Sequence, residues 1–287
     1  MSDIKIVASV GSGLMGRQIA LNSAKHGYMT YVWDRDDDAI SKFNDWLTSY
    51  ISGRVEKGKI TSEEGEQWVS RLVQTTNLCF AVKDADLIIE SVKEDIGIKR
   101  YMITECNKYM KPTCILGTNS SAIPSSVFAD CMKDPSKLCN MHFFNPALVM
   151  ELVEVVMGPH TSQETADIVL ATAREMGKSP ICMKKEIEGF IVSRMLDTLL
   201  KGAFELVEGG YCTPQELDIA MEKGCNFPMG PFRLMDLTGI DLEYETYYAK
   251  WQETKNPADK PPVCLEELYK KGYLGRKTGK GWYEYAE

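Results

Sequence analysis

Residues 4–34, IKIVASVGSGLMGRQIALNSAKHGYMTYVWD, decide the fold. Positions 4–10 form a short apolar, β-branched run that Gly11-Ser12-Gly13 ends. From 14 to 25 the apolar residues Leu14, Met15, Ile19, Ala20 and Ala24 fall close to helical spacing, and Gly27 supplies a stop. Positions 29–33 then read as a second strand. A chain that opens strand, helix, strand and keeps alternating builds a parallel sheet with helices on both faces.

Outward from this unit the spacing predicts a long helix over 39–58 and a second over 62–73, which starts at the capping signal Thr61-Ser62-Glu63-Glu64. Such a helical hairpin stands out from regular alternation. Strands are expected at 87–91, 114–118, 138–143, 152–156 and 181–183, with helices at 98–109 and 165–176. After Lys185 the strand signals stop. Residues 189–208 carry a helical apolar face, and four shorter helical segments follow, broken at Pro214, Pro228, Pro231 and Pro261-Pro262. The expected organisation is therefore an α/β domain over 1–185, mostly parallel and carrying the hairpin as an insertion, followed by an all-helical domain over 186–287.

Composition narrows the function. The 287 residues carry a net charge of −8 and no long basic stripe, which argues against nucleic acid or an anionic membrane surface as the main partner. Nine cysteines without C-x-x-C spacings indicate neither a zinc site nor a disulfide scaffold, so reduced cytoplasmic thiols and no bound metal are expected. No apolar stretch approaches the roughly 18–20 residues of a membrane span, and strand-like residues from Ile4 onward leave no room for a secretory leader.

Gly11-Ser12-Gly13-Leu14-Met15-Gly16 matches G-x-G-x-x-G directly after a strand and at the opening of a helix, the setting of a dinucleotide pyrophosphate site. The helix start would offer free N–H groups and partial positive charge to the phosphates. Glycines at a strand-to-helix turn also occur without a ligand, and Asp34 separates the two readings. It ends the second strand 23 residues past Gly11, where a carboxylate accepts from an adenosine ribose and repels the 2′-phosphate of NADP. NAD is the cofactor this implies. Arg35 keeps phosphate recognition open.

With three histidines, His26, His142 and His160, acid/base chemistry by imidazole has three candidates. His26 sits at an expected helix C-terminus, a structural role that favours partial positive charge there. His160 lies in the turn Gly158-Pro159-His160-Thr161 with no acidic partner in view. His142, in Met141-His142-Phe143-Phe144-Asn145-Pro146, ends a strand where open α/β sheets place their ligands. Asn119-Ser120-Ser121 follows another strand, and Glu154 on the next one can accept from the second imidazole nitrogen.

These residues carry a resemblance to the 3-hydroxyacyl-CoA dehydrogenase family, in particular its single-function bacterial members acting on 3-hydroxybutyryl-CoA. The likeness runs almost end to end: Gly11–Gly16, Ile88-Ile89-Glu90-Ser91 with Glu94 and Lys99, Thr118–Ser121, His142–Pro146, Met150–Glu154, Gly189–Val192, Pro228–Pro231 and the closing segment from Leu274 to Tyr283. The resemblance implies a Rossmann-like NAD domain, a helical domain that forms a homodimer, and an acyl-CoA substrate. It implies that His142 is the general base for the 3-hydroxyl proton, that Glu154 orients its ring, and that Ser121 bonds the reacting oxygen. Glu94, Lys99, Asn119 and Asn145 would surround the nicotinamide and its ribose, and Lys277 would reach back to the cofactor. Arg54, Lys57 and Lys59 on the hairpin would meet the CoA phosphates, although such a charge run also serves as a plain solvated face.

Ser193 stands where the family usually has an asparagine, a donor to the substrate carbonyl or the reacting oxygen, and Glu188 where a proline often precedes the glycine. A shorter hydroxyl in place of an amide loses a direct contact or replaces it by water. Two alternatives therefore stay open: a dehydrogenase of a free hydroxy acid or sugar acid, and a catalytically silent NAD-binding protein.

Overall fold

Strand β1 (Ile6–Val10) is the third of eight strands in one sheet because its sequence IVASV can be buried on both faces. Val7 packs into one apolar layer while Ala8 and Val10 pack into the other, the two-residue alternation of an extended chain. In the computed structural model, which describes residues 3–285, the chain continues through α1 (Leu14–Lys25), β2 (Met29–Trp33), α2 (Asp37–Glu56), α3 (Ser62–Val69), β3 (Leu72–Thr75), α4 (Leu78–Val82), β4 (Leu87–Glu90), α5 (Ile96–Tyr109), β5 (Ile115–Thr118), β6 (Leu138–Phe143), β7 (Leu152–Val156), α6 (Gln163–Glu175) and β8 (Ser179–Met183). The strand order is β3-β2-β1-β4-β5-β6-β7-β8. Every neighbouring pair is parallel except β6 and β7. This is the mostly parallel, Rossmann-like α/β arrangement read from the sequence.

Local chemistry sets the helix starts. Asp36 caps α2 by accepting from the Ala39 N–H at 2.9 Å, which starts that helix two residues earlier than its apolar spacing indicates. At α3 the capping box is complete: Thr61 Oγ1 accepts from the Glu64 N–H, and Glu64 Oε2 accepts from the Thr61 N–H. The expected helix over 62–73 is corrected here. It ends at Val69, and Leu72–Thr75 is an edge strand parallel to β2. The β-branched and apolar residues of that stretch continue a helical pattern locally, and only pairing with Thr30–Trp33, distant in sequence, makes them a strand. The short helix α4, capped by Asn77, is a second element not foreseen. The hairpin α2–α3 thus bridges β2 to β3, and Phe43, Leu47 and Trp68 bury its inner face with Ala20, Ala24 and Val32.

The described residues fall into two units that part between Phe190 and Ile191. The second is helical, with α7 (Val192–Glu208), α8 (Pro214–Gly224), α9 (Pro231–Thr238), α10 (Ile240–Thr254) and α11 (Val263–Lys270). Its core gathers Phe204, Phe232, Tyr247 and Trp282, with the Phe232 and Trp282 ring centroids 4.7 Å apart. Two buried carboxylates hold its ends. Asp218 accepts from the N–H groups of Phe232 and Arg233, which satisfies the first turn of α9, and from the Tyr283 hydroxyl. Asp236 accepts from the N–H groups of Trp282 and Tyr283 and from the Tyr285 hydroxyl. A Cβ on Gly281 would lie 2.0 Å from an Asp236 oxygen, so the closing glycine-rich segment docks only because that position has no side chain.

Glu243 on α10 is a carboxyl for which the structure provides poor compensation. Burial, and then the charge of Asp197, push its pKa up to about 7. A carboxyl whose folded pKa is raised contributes stability at low pH that is lost as pH climbs through the folded value. The melting temperature should therefore fall between pH 5 and pH 8. Glu243→Gln should match the parent protein at pH 5 and melt a few degrees higher at pH 8, in thermal melts followed by circular dichroism. Equal melting temperatures for the two proteins at pH 8 would contradict this account.

Candidate active site

The parallel strands β1, β2, β4, β5 and β6 all end on one edge of the sheet, and the polar residues of interest gather there. At the end of β1, a Cβ on Gly16 would lie 1.8 Å from the Gly11 carbonyl oxygen, so α1 approaches the turn as closely as it does only with glycine at 16. A Cβ on Gly13 would meet nothing within 4 Å, which leaves space for a ligand over the turn. No side chain caps α1 at Gly13, so the first N–H groups of the helix are available to an anion. Ser12 donates from both its N–H and its hydroxyl to Asp34 Oδ2, each at 2.7 Å, which ties the turn to the end of β2. Leu14 is exposed, Met15 packs on the core beside β1, and the Arg35 guanidinium is engaged with Asp36. This cradle fits a dinucleotide with an unphosphorylated ribose.

Glu90 at the end of β4 is fully buried and ion-paired with Lys99, which is 1% exposed and lies 3.0 Å away. The same Lys99 ammonium lies 3.2 Å from Glu94, and the Thr118 hydroxyl donates to Glu90. Glu94 Oε1 in turn accepts from the Ser120 hydroxyl and from the Ser121 and Ala122 N–H groups. Burial alone would raise the Glu94 pKa; the Lys99 charge and the Ser120 bond outweigh it, and the carboxyl sits below its ordinary value. Lys99 therefore aims Glu94 from beneath. Asn119 Oδ1 accepts from the Phe143 N–H at 2.8 Å and joins the tips of β5 and β6.

His142, on β6, lies directly opposite Glu154 across the antiparallel β6–β7 pair. Its Nδ1 is 2.9 Å from Glu154 Oε2, with the imidazole 6% exposed and the carboxylate fully buried. Phe144 and Phe190 stand against the imidazole, with ring centroids at 4.5 and 5.7 Å. Nδ1 is thus engaged by Glu154, which leaves Nε2 to exchange a proton with a ligand.

Two buried side chains with no motif to mark them hold the loop after His142. Gln18 Nε2 donates to the Leu14 carbonyl at 3.0 Å and to Asn145 Oδ1 at 3.3 Å, so it connects the cofactor helix to Asn145. From the other side, the Lys178 ammonium donates to the carbonyls of Ala147 and Met150. Burial, and then the Lys25 charge, hold Lys178 below the usual lysine range. The only sequence hint of either is a polar residue on an otherwise apolar helix face or strand start.

The other histidines serve elsewhere, with two corrections. His26 caps α1, its Nδ1 2.8 Å from the Asn22 carbonyl oxygen, yet burial lowers its pKa and opposes the positive charge expected there. His160 does have a carboxylate nearby: burial lowers its pKa, and the Glu186 charge opposes that shift without cancelling it. Ser121 is exposed beside Glu94. Arg54 lies over the Tyr50 ring at 6.0 Å, at the end of α2 opposite Asp34, where Lys57 and Lys59 are exposed. In the second unit Ser193 is part-buried in the first turn of α7, and Lys277 pairs with Asp241 at 2.5 Å.

The chain matches known proteins over nearly its whole length. Residues 6–187 match the NAD binding domain of 3-hydroxyacyl-CoA dehydrogenase, and residues 189–285 match the C-terminal domain of the same enzyme family. A probable 3-hydroxybutyryl-CoA dehydrogenase of Deinococcus radiodurans is 34% identical, over 96% of this chain and 98% of the relative. A 3-hydroxyadipyl-CoA dehydrogenase of Escherichia coli is also 34% identical, and the match spans 99% of this chain but 60% of that longer protein. The crystal structure of (S)-3-hydroxybutyryl-CoA dehydrogenase from Ralstonia eutropha superposes with a TM-score of 0.88 at 32% identity, covering 99% of this chain and 100% of the other. The chain belongs to the 3-hydroxyacyl-CoA dehydrogenase family.

Proposed function

We propose that the protein interconverts (S)-3-hydroxyacyl-CoA and 3-oxoacyl-CoA with NAD, on short chains of the 3-hydroxybutyryl-CoA and acetoacetyl-CoA type. The observation that carries this reading is the His142–Glu154 pair on the sheet edge that also bears the Gly11–Gly16 turn, with Gln18 of α1 bonded to Asn145 just after His142. When bound, NAD supplies the hydride acceptor, and NADH the donor in reverse. His142 Nε2 takes the 3-hydroxyl proton as the alcohol is oxidised and returns it in the reverse direction. Glu154 keeps Nδ1 occupied, so the imidazole presents one tautomer and one direction. Ser121 donates to the reacting oxygen, and Ser193 takes the place of the usual amide donor to the substrate.

The remaining assignments follow the family pattern. Glu94, Asn119 and Asn145 line the nicotinamide and its ribose, with Lys99 acting through Glu94. Lys277 reaches the cofactor by leaving Asp241, and Arg54, Lys57 and Lys59 offer cations to the CoA phosphates. Residues 1–185 bind NAD, and residues 186–287 supply the substrate and dimer surfaces. A homodimer is supported by the apolar side chains the second unit exposes, among them Met195, Leu242 and Val263. No helix among the described residues is long and apolar enough to cross a membrane. Nine cysteines without paired spacings favour a cytoplasmic location. Ser193 and Glu188 favour one second reading, the same chemistry on a free hydroxy acid or sugar acid.

Purified protein should oxidise NADH with acetoacetyl-CoA faster than with acetoacetate or a keto sugar acid; no turnover with any acyl-CoA would refute the assignment. His142→Gln should abolish that turnover while NADH still binds, as read by nicotinamide fluorescence. Asp34→Ala should weaken NADH binding about tenfold or more and narrow the preference over NADPH, in the same titration. Ser193→Asn should raise kcat with acetoacetyl-CoA, since one donor to a developing charge is typically worth ~10²–10³ in rate. An unchanged kcat would show that serine serves this substrate as well as asparagine.

A further inference from the structure

Phe190 adopts a backbone conformation that a bulky side chain normally avoids, with φ of 48°. Among the described residues the other non-glycine positions with positive φ are Asn226 and Lys255, both exposed, whereas Phe190 is 1% exposed. Gly189 before it is also left-handed, with φ of 72°, so the turn places an aromatic ring one residue beyond the position where glycine relieves the strain. Strain of this kind persists only where the surroundings over-determine it.

The surroundings do so here. Glu186 accepts from the Ser125 hydroxyl at 3.0 Å and from the Ser126 N–H at 2.9 Å, which pins the segment after β8. The Phe190 N–H then donates to the Ile187 carbonyl at 3.1 Å and closes the turn. The ring that results stands 5.7 Å from the imidazole of His142 at an interplanar angle of 56°. Phe144 stands 4.5 Å from the same imidazole at 49°. The bond from Nδ1 to Glu154 fixes one atom of the imidazole, and one hydrogen bond by itself does not fix the rotation of a ring about its own line. A second contact is needed to fix its tilt, and an apolar one also keeps water off the Nδ1–Glu154 bond.

We propose that Phe190 is a positioning residue for His142: the Glu186 tether and the left-handed turn press its ring against the imidazole and lock the tilt that Glu154 alone leaves free. The proposal rests on the assignment of His142 as the acid/base group. It gives a role to the Gly189-Phe190 pair and to Glu186, none of which bonds NAD or substrate in the reading above.

The test uses the full-length protein with ¹⁵N-labelled histidine. The Nδ1–H signal of His142 is assigned by its loss in His142→Gln. Phe190→Leu keeps the site apolar but removes the ring, and Glu186→Ala cuts the tether. In both, exchange of that Nδ1–H with solvent should quicken about tenfold or more. The kcat for acetoacetyl-CoA reduction should fall by a similar factor, with KM for acetoacetyl-CoA within about twofold. Phe190→Tyr, which restores the ring, should return both readings to within about threefold of the parent. A folded Phe190→Leu protein with unchanged Nδ1–H exchange would overturn the proposal and reduce Phe190 to core packing. Should Phe190→Leu not fold, Glu186→Ala decides by the same exchange reading. That reading needs no turnover, so a protein inactive on acyl-CoA refutes the assigned reaction while the exchange rates still decide the role of Phe190.

Discussion

The antiparallel pairing of β6 with β7 is the constraint from which the site follows. In a sheet whose other pairs are parallel, the chain turns back after Phe143 and pairs residue for residue, which sets Glu154 directly across from His142 on the same face. Residues opposed in this way have Cβ atoms about 4.5–5.5 Å apart, close enough for an imidazole and a carboxylate to bond without help from a flexible loop. A parallel β7 would have needed a long crossover and would have returned the chain elsewhere along the edge. Because the reversal is short, its loop carries Phe144 and Asn145 beside the histidine, and Gln18 and Lys178 fix that loop from two sides.

The same edge concentrates groups that a core would otherwise exclude. Glu90, Lys99, Thr118, Ser120, Asn140, His142 and Glu154 are all buried. Each has a partner suited to its charge: Lys99 stands between Glu90 and Glu94, and Asn140 accepts from the Ser125 N–H while donating to the Ile123 carbonyl. Removing one member of a buried ion pair costs about 3–5 kcal/mol because the other is left uncompensated. These residues therefore depend on one another for stability as well as for geometry. The apolar layers on the two faces of the sheet offset that cost.

Most of the architecture was legible because its signals are local. The bounds of β2, β6 and β7 coincide with their apolar runs, and the capping box at Thr61 forms as its spacing indicates. β3 was not legible, because an edge strand of four residues is defined by its distant partner in β2. Within the site, Glu154 could be matched to His142 because both lie on recognisable strands. Gln18 and Lys178 could not, since what gives each its place is a bond to a loop more than twenty residues away in sequence. Lys99 shows a third limit: its position in the motif was plain, but whether its ammonium meets solvent or two carboxylates depends on burial, which spacing does not encode.

The closing segment shows how a specific motif can be structural in origin. The glycines between Leu274 and Tyr283 belong to a segment that carries the family resemblance, and the structure accounts for two of them by the crowded approach to Asp236: Cβ atoms on Gly275 and Gly281 would lie 2.3 and 2.0 Å from it. Asp236 can accept from three donors there only because neither position carries a side chain. Burial raises the Asp236 pKa even so, a sign that those three bonds do not fully repay its desolvation. Lys277 projects from the same short turn and pairs with Asp241. The glycines and Asp236 fix the backbone of the turn from which the Lys277 ammonium reaches Asp241. The cofactor role proposed for Lys277 would therefore depend on Asp236, a residue to which that proposal gives no contact with cofactor or substrate.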